Sequence, residues 1–172
     1  MNDTWNIPDW DEWFMRMVYI IASKSKDRSS KIGAVIVNNN QIVKVGYNGF
    51  PMGVDDDIAI RHDRPLKYSF VSHAESNAIF FAARDGAKTD GCSMYTNGLC
   101  CVECAKAVIQ SGIKNLIYHR QFQDKWNEFR REKWDGHNEI TTQMFLESNV
   151  KVIQFDRYLD VKSMIDGKII TV

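Results

Sequence analysis

Two short motifs contain the residues best suited to catalysis. The first is His73-Ala74-Glu75 and the second is Cys101-Val102-Glu103-Cys104. A histidine and two cysteine thiolates are ligand types that zinc prefers, and three protein ligands leave one tetrahedral position for water, as in a catalytic site. Zinc lowers the pKa of a bound water from about 15.7 towards about 7. We therefore expect one catalytic Zn2+ held by His73, Cys101 and Cys104.

Glu75 lies close enough to His73 to take part in the same chemistry. If His73 keeps extended geometry at a helix start, both side chains can reach over the helix end. Glu75 would then accept a proton from water and deliver it to the ring nitrogen of a cytosine, as general base and then general acid. A His-x-Glu motif followed by Cys-x-x-Cys is the pattern of zinc-dependent base deaminases.

Each motif also has a structural interpretation. Ser72 to Glu75 fits a Ser-x-x-Glu capping box, in which Glu75 only bonds a free N–H of the helix. A lone Cys-x-x-Cys can be redox-active or half of a structural zinc site. The combination favours the deaminase site, because capping explains neither His73 nor the thiols, and no second Cys or His pair lies nearby.

The register of the cysteine ligands is open at one position. Zinc deaminases usually have Pro before the first ligand cysteine, where it preorganises the first helical turn, and this chain has Cys100 there. Cys100 and Cys104 are four residues apart and could also share a helix face. We prefer Cys101, because two thiols three apart at a helix start share one face and the helix dipole there favours thiolate.

The apolar pattern indicates one α/β domain over residues 1–172. Apolar spacing and turn residues predict helices over 10–25, 73–85, 101–111 and 140–148, and strands over 32–37, 41–47, 93–96, 115–118 and 151–155. A long loop is expected over 48–72, residues 122–135 are polar with interspersed aromatics, and residues 156–172 fit no element. This order predicts a three-layer α/β/α sandwich around a mixed sheet of about five strands.

Charge balance and cysteine use limit the partners and the compartment. The 172 residues carry 22 Lys plus Arg and 22 Asp plus Glu, so the formal net charge is zero and a basic excess suited to a long nucleic acid is missing. No targeting or membrane segment is visible. Three of the four cysteines crowd into a short segment, which suits a metal site in a reducing compartment. We expect a cytoplasmic protein without large nucleic acid or membrane partners.

The chain resembles the deoxycytidylate (dCMP) deaminase family of the cytidine deaminase superfamily. The resemblance rests on residues 10–15 (WDEWFM), 29–37 (SSKIGAVIV), 46–51 (GYNGFP), 67–68 (KY), 73–79 (HAESNAI) and 101–112. It implies conversion of dCMP to dUMP and ammonia, which supplies thymidylate synthesis. It also implies a homo-oligomer, a hexamer, activated by dCTP and inhibited by dTTP near the GYNG segment, with Mg2+ accompanying a triphosphate effector.

The same resemblance implies contacts to the nucleotide. Asn48 matches an asparagine that bonds the sugar hydroxyl, although a loop asparagine with left-handed geometry is the alternative. Ile32 falls where the family packs a side chain on the base, and Ala74 is expected to contact the substrate too. Phe122 falls near an aromatic that closes over the nucleotide.

Three questions stay open from the sequence. Arg28 and Lys31 are candidate phosphate contacts, with a solvated charged turn as the alternative. The substrate could instead be dCTP, cytidine or adenine in tRNA, and the neutral charge argues against the last. A non-catalytic zinc-binding module on the same fold is the remaining alternative. The presence of Glu75 argues against it, because a structural site needs no proton shuttle.

Overall fold

The computed structural model describes residues 7–130 and 137–172. In chain order the elements are α1 (Trp10–Ala22), β1 (Gly33–Asn38), β2 (Gln41–Tyr47), a 3-10 helix (Ala59–His62), α2 (Lys67–Phe70), α3 (Ala74–Arg84), β3 (Ser93–Thr96), α4 (Val102–Gln110), β4 (Asn115–His119), α5 (Arg120–Arg130), α6 (His137–Glu147), β5 (Lys151–Phe155), β6 (Lys162–Ile165) and β7 (Lys168–Thr171). No helix in these two described ranges is long and apolar enough to cross a bilayer.

Five strands form one mixed sheet in the order β2-β1-β3-β4-β5. β1 pairs antiparallel with both β2 and β3, whereas β3, β4 and β5 are parallel. Parallel strands need crossovers, and helices supply them here. The predicted mixed sheet of about five strands is confirmed.

The sheet is covered on both faces. Ala34 and Ile36 of β1 point into a core with buried residues of α3, α4 and α6. Val35 and Val37 point the other way, into a core with buried residues of α1, α5 and the β6–β7 hairpin. Because both faces are buried, β1 reads as an unbroken apolar run rather than an alternating one. The three-layer α/β/α arrangement is confirmed.

Three regions differ from the sequence-based expectation. α5 occupies part of the polar segment 122–135, of which residues 131–135 lie outside the described ranges. The expected loop 48–72 contains the 3-10 helix and α2. Residues 156–172, which fitted no element, contain β6 and β7, which form a two-stranded sheet of their own among residues 7–130 and 137–172.

Candidate metal centre and substrate cavity

Two helix N-termini meet on one side of the sheet and carry the candidate ligands. His73 is the N-cap residue of α3 and Cys101 is the N-cap residue of α4, each with extended backbone and without a side-chain capping bond. Both helices pack into the same core. The free N–H groups of a first helical turn favour negative charge, so thiolates and a carboxylate are stabilised here.

The three ligand atoms are close enough to share one ion. His73 Nδ1 lies 3.3 Å from Cys101 Sγ and 3.5 Å from Cys104 Sγ, and the three donor atoms all lie within 4.8 Å of one another. With Zn–S near 2.3 Å and Zn–N near 2.0–2.1 Å, tetrahedral angles place nitrogen and sulfur about 3.5 Å apart. The donor set and its spacing therefore fit zinc.

The electrostatics of the cluster favour a cation between the two sulfurs. Hydrogen bonds with Cys104 and with His73 lower the pKa of the Cys101 thiol to about 4, against burial. The nearby Cys101 sulfur and burial raise the pKa of Cys104. Hydrogen bonding to Cys101 raises the pKa of His73 to about 9. The lowered pKa of Cys101 favours its thiolate, which is the form that binds metal.

Glu75 lies beside this cluster and takes no part in capping. Its side chain is buried, and its Oε2 accepts a hydrogen bond from Cys104 Sγ at 3.6 Å. Burial raises the pKa of the Glu75 carboxyl. The N-cap of α3 is His73 rather than Ser72, and the His73 side chain makes no capping bond, so a Ser72–Glu75 capping box is not formed. The capping-box interpretation of Glu75 is therefore wrong.

Gly46 of β2 allows the backbone of α3 to pack directly against the sheet. A Cβ at Gly46 of β2 would lie 2.3 Å from the Ala74 carbonyl oxygen and 2.5 Å from the Ala78 nitrogen. Real Cβ atoms essentially never approach that near, so only glycine fits. This contact fixes the height of the first turn of α3, and with it the positions of His73 and Glu75.

A cavity of about 170 Å³ opens at these helix ends. Its lining includes most of the residues expected from the sequence: Ile32, Asn48, His73, Ala74, Glu75, Cys101 and Phe122. Cys104 is buried behind the lining. Arg28 and Lys31 are outside the lining, because Arg28 is exposed and the Lys31 ammonium donates to the Ser25 carbonyl. The structure does not bring these two cations to the cavity.

Asn48 is tied into the wall of this cavity by its side chain. Its Oδ1 accepts the Ile32 N–H at 2.9 Å, and its Nδ2 donates to the Ser30 carbonyl at 2.9 Å and to Asp27 Oδ2 at 3.1 Å. Asn48 does not have positive φ, so the left-handed alternative is wrong. Its proposed contact to a sugar hydroxyl stays a prediction.

A buried ion pair in the same wall was missed from the sequence. Lys67 Nζ donates to Asp27 Oδ1 at 2.7 Å, with side chains that are 10% and 2% exposed. The same carboxylate accepts the Ser29 and Ser30 N–H groups. In the sequence, the only sign of this arrangement is the spacing of Asp27 to the two serines that follow it, because an aspartate side chain can accept backbone N–H groups two or three residues later. Other lining residues not expected are Asp27, Ser30, Lys67, Tyr68, Val71, Gly98, Leu99, Cys100, Gln123, Trp126 and Asn138.

Cys100 lies next to the cluster without joining it. It is buried, lines the cavity, and burial raises the pKa of its thiol. The structure places Cys101 against His73. The preference for Cys101 over Cys100 as ligand agrees with this geometry.

Comparison with known proteins agrees with the site. Residues 8–120 match the model of the cytidine and deoxycytidylate deaminase zinc-binding region. The chain belongs to this deaminase family. Deoxycytidylate deaminase of Mus musculus is 43% identical over 126 residues, covering 70% of this chain and 68% of that protein. An uncharacterised deaminase of Aliivibrio fischeri is 37% identical over 146 residues, covering 85% and 93%.

The solved structures show the same deaminase fold. The dCMP deaminase of cyanophage S-TIM5, in complex with dCMP and dUMP, matches with a TM-score of 0.63 and 23% identity, over 87% of this chain and 99% of that one. The matched zinc-binding region includes His73, Cys101 and Cys104. The predictions of the family, of a deaminase enzyme and of a zinc site are thus confirmed.

Proposed function

We propose that this deaminase converts dCMP and water to dUMP and ammonia, supplying thymidylate synthesis. The observation that carries the proposal is a buried carboxylate, Glu75, in the wall of a cavity that is also lined by His73 and Cys101, two of the three donors whose spacing fits zinc. The choice of a deoxynucleotide is supported by the relatives named deoxycytidylate deaminase.

Glu75 moves the protons in this proposal. When bound by His73, Cys101 and Cys104, zinc supplies an acidified water at neutral pH. Glu75 accepts a proton from the water whose oxygen bonds to C4 of the cytosine ring, and delivers that proton to N3. It then takes the proton of the new C4 hydroxyl and passes it to the amino group, so that the C4–N bond breaks, ammonia leaves and C4 becomes a carbonyl. Burial raises the pKa of the Glu75 carboxyl, and this favours proton uptake by a group that has to act first as base and then as acid.

The rest of the cavity binds and orients the nucleotide. Ile32 and Phe122 offer apolar surface to the faces of the base. Ala74 lies in the first turn of α3, where N–H groups lack intrahelical partners and can bond a base carbonyl. Asn48 is proposed to bond the sugar hydroxyl. Arg28 and Lys31 stay predictions for the phosphate, and each side chain would have to turn to reach it.

A second cavity is the proposed effector site. It has a volume of about 150 Å³, lies beside residues 46–51, and is lined by Lys24, Lys26, Tyr47, Phe50 and His62, among others. Asp27 and Asp56 also line this cavity, and Lys26 forms a 2.7 Å ion pair with Asp56, so a polyphosphate bound by the two lysines would have to displace Asp56. Phe50 stacks on His62 at 4.8 Å between ring centroids. We propose activation by dCTP and inhibition by dTTP here, with Mg2+ accompanying the triphosphate.

We also propose the setting in which the enzyme works. Residues 1–172 act as one deaminase domain, assembled as a homohexamer in the cytoplasm. The substrate is a free nucleotide rather than a large nucleic acid, which agrees with the zero formal net charge. Size measurement in solution, with and without dCTP, tests the hexamer, and a monomer under both conditions contradicts it.

A substrate panel separates this function from its alternatives. Purified zinc-loaded protein is incubated with dCMP, dCTP, cytidine and CMP, with and without dCTP and dTTP as effectors, and ammonia is measured. We expect the highest kcat/KM with dCMP and one ammonia per dUMP. Preference for dCTP or cytidine would establish a different deaminase. Ammonia from none of the four, with zinc bound, would favour a non-catalytic module.

A further inference from the structure

The C-terminal β6–β7 hairpin lies outside the region that defines the family match. Its strands are joined by Asp166 and Gly167, whose φ values are 50° and 78°, as a tight two-residue hairpin turn requires. Ile165 and Ile170 are buried in the core with α1 and α5. The hairpin is therefore anchored to the domain, with its turn directed towards residues 29–31.

Residues 29–31, called here the wall segment, are bonded to the hairpin at each position. The Lys31 N–H donates to the Met164 carbonyl at 3.1 Å, the Gly167 N–H to the Ser29 carbonyl at 2.7 Å, and the Asp166 N–H to Ser30 Oγ at 3.2 Å. The wall segment belongs to no helix or strand. Its conformation thus depends on these bonds from outside.

The opposite side of the wall segment faces the cavity. Asp27 Oδ1 accepts the N–H groups of Ser29 and Ser30, and Asn48 Nδ2 donates to the Ser30 carbonyl. Ser30 itself lines the cavity, as do Asp27 and Asn48. The wall segment is held between the hairpin and the side chains that surround the proposed nucleotide.

The hairpin turn also joins two other parts of the cavity surroundings. The Arg64 guanidinium donates to Asp166 Oδ1 at 2.8 Å and to Ser29 Oγ at 2.8 Å, so it links the 49–72 region to both. Lys168 Nζ lies 4.8 Å from the ring centroid of Phe129 in α5, the helix that brings Phe122 to the cavity. The wall segment, the 49–72 region and α5 therefore all contact the hairpin.

We propose that the β6–β7 hairpin is a positioning element for the nucleotide cavity, with Arg64 and Gly167 as positioning residues. This inference rests on the proposed function. The zinc ligands and Glu75 belong to α3 and α4, which pack on the opposite face of the sheet from the hairpin. Loosening the turn therefore weakens nucleotide binding and leaves the proton transfer in place.

Two variants and a matched control test this role. Gly167→Val strains the turn because of its positive φ, while its new Cβ meets nothing nearer than the Arg28 carbonyl at 3.9 Å. Arg64→Gln removes the charge of a partly exposed side chain that pairs with Asp166 at 2.8 Å. Ile169→Thr is the control on the same hairpin, because Ile169 is 71% exposed. Each is assayed for KM, kcat, zinc content, Tm and hydrogen exchange of the Lys31 amide.

We expect KM for dCMP to rise about threefold to fivefold in Arg64→Gln and more in Gly167→Val, with kcat within about twofold of wild type. Zinc content should be unchanged, and the Lys31 amide should exchange faster in both. A lower Tm with unchanged KM and exchange would make the hairpin merely structural and overturn the proposal. Wild-type protein inactive on dCMP would instead overturn the proposed function.

Discussion

Gly46→Ala tests how the fold positions the catalytic helix. The added Cβ would sit 2.3 Å from the Ala74 carbonyl oxygen and 2.5 Å from the Ala78 nitrogen. Both obstacles are helix backbone, so neither can rotate away, and α3 has to move by nearly 1 Å to restore ordinary contact distances. Overpacking of a close-packed core costs about 1–3 kcal/mol. At about 2–4 °C per kcal/mol for a chain of this size, Tm should fall by about 2–12 °C.

The same displacement should reduce activity, because α3 carries His73 and Glu75 at its start. A misplacement near 1 Å can lower the rate about a hundredfold, and we expect kcat to fall by about tenfold to a hundredfold. Gly49→Ala is the matched control, measured without effectors, since its Cβ would meet only the Tyr47 ring at 3.7 Å. Thermal unfolding and dCMP turnover are measured for both. Wild-type Tm and kcat in Gly46→Ala would refute the close approach of α3.

Three further perturbations follow from individual contacts. Cys101→Ser should lose zinc while Cys100→Ser keeps it, as measured by metal titration. If Cys101→Ser retained zinc, the assignment of Cys101 as a ligand in preference to Cys100 would be wrong. Asp27→Ala should lower the unfolding free energy in urea by about 3–5 kcal/mol, because it leaves the buried Lys67 ammonium without its carboxylate; a loss below about 1 kcal/mol would contradict this. Burial lowers the pKa of His119, whose neutral ring accepts from the Tyr19 hydroxyl and donates to the Arg157 carbonyl. Its contribution to stability is therefore present above the unfolded pKa of about 6.5 and lost as pH falls below it, so His119→Gln should show a smaller drop in Tm between neutral and acid pH than wild type.

The elements that carry the motifs could be predicted because local signals agree there. α3 and α4 begin directly after His73 and Cys101, as expected from the apolar spacing behind each motif. α5 was not predicted, although Phe122, Trp126 and Phe129 recur at helical spacing. The charged and polar residues between them obscured this pattern.

The C-terminal hairpin could not be derived from local pattern. Asp166-Gly167 is a hairpin turn dipeptide, yet each strand has only four residues, and in the described part of the chain the two strands pair with no other strand. Its stability comes from contacts with residues far away in the chain, such as the bond between Lys31 and Met164. Such contacts produce no periodic pattern of apolar residues in a short segment.

Some residues of the site could also be predicted from the sequence, whereas others could not. His73, Glu75, Cys101 and Cys104 could be recognised because zinc hydrolysis restricts both residue type and spacing. The pair of Asp27 and Lys67 joins residues that are 40 apart, so no local spacing reveals it.

Arg28 and Lys31 were candidate phosphate contacts on the basis of charge, with a solvated charged turn as the alternative. The direction of a side chain in an irregular turn depends on how its backbone is held, and here Asp27 and the hairpin hold it. Charge in a sequence identifies a possible partner, but it does not give the direction of the side chain.

In the proposed reaction, Glu75 moves protons beside a zinc held by His73, Cys101 and Cys104. The most direct measurement is zinc content and dCMP turnover of Glu75→Gln against wild type, because glutamine keeps the shape of the side chain and cannot shuttle a proton. We predict full zinc occupancy, unchanged Tm within about 2 °C, and a kcat lower by about a hundredfold to ten-thousandfold. If zinc-loaded Glu75→Gln released ammonia from dCMP at the wild-type rate, the proton-transfer role of Glu75 would be wrong.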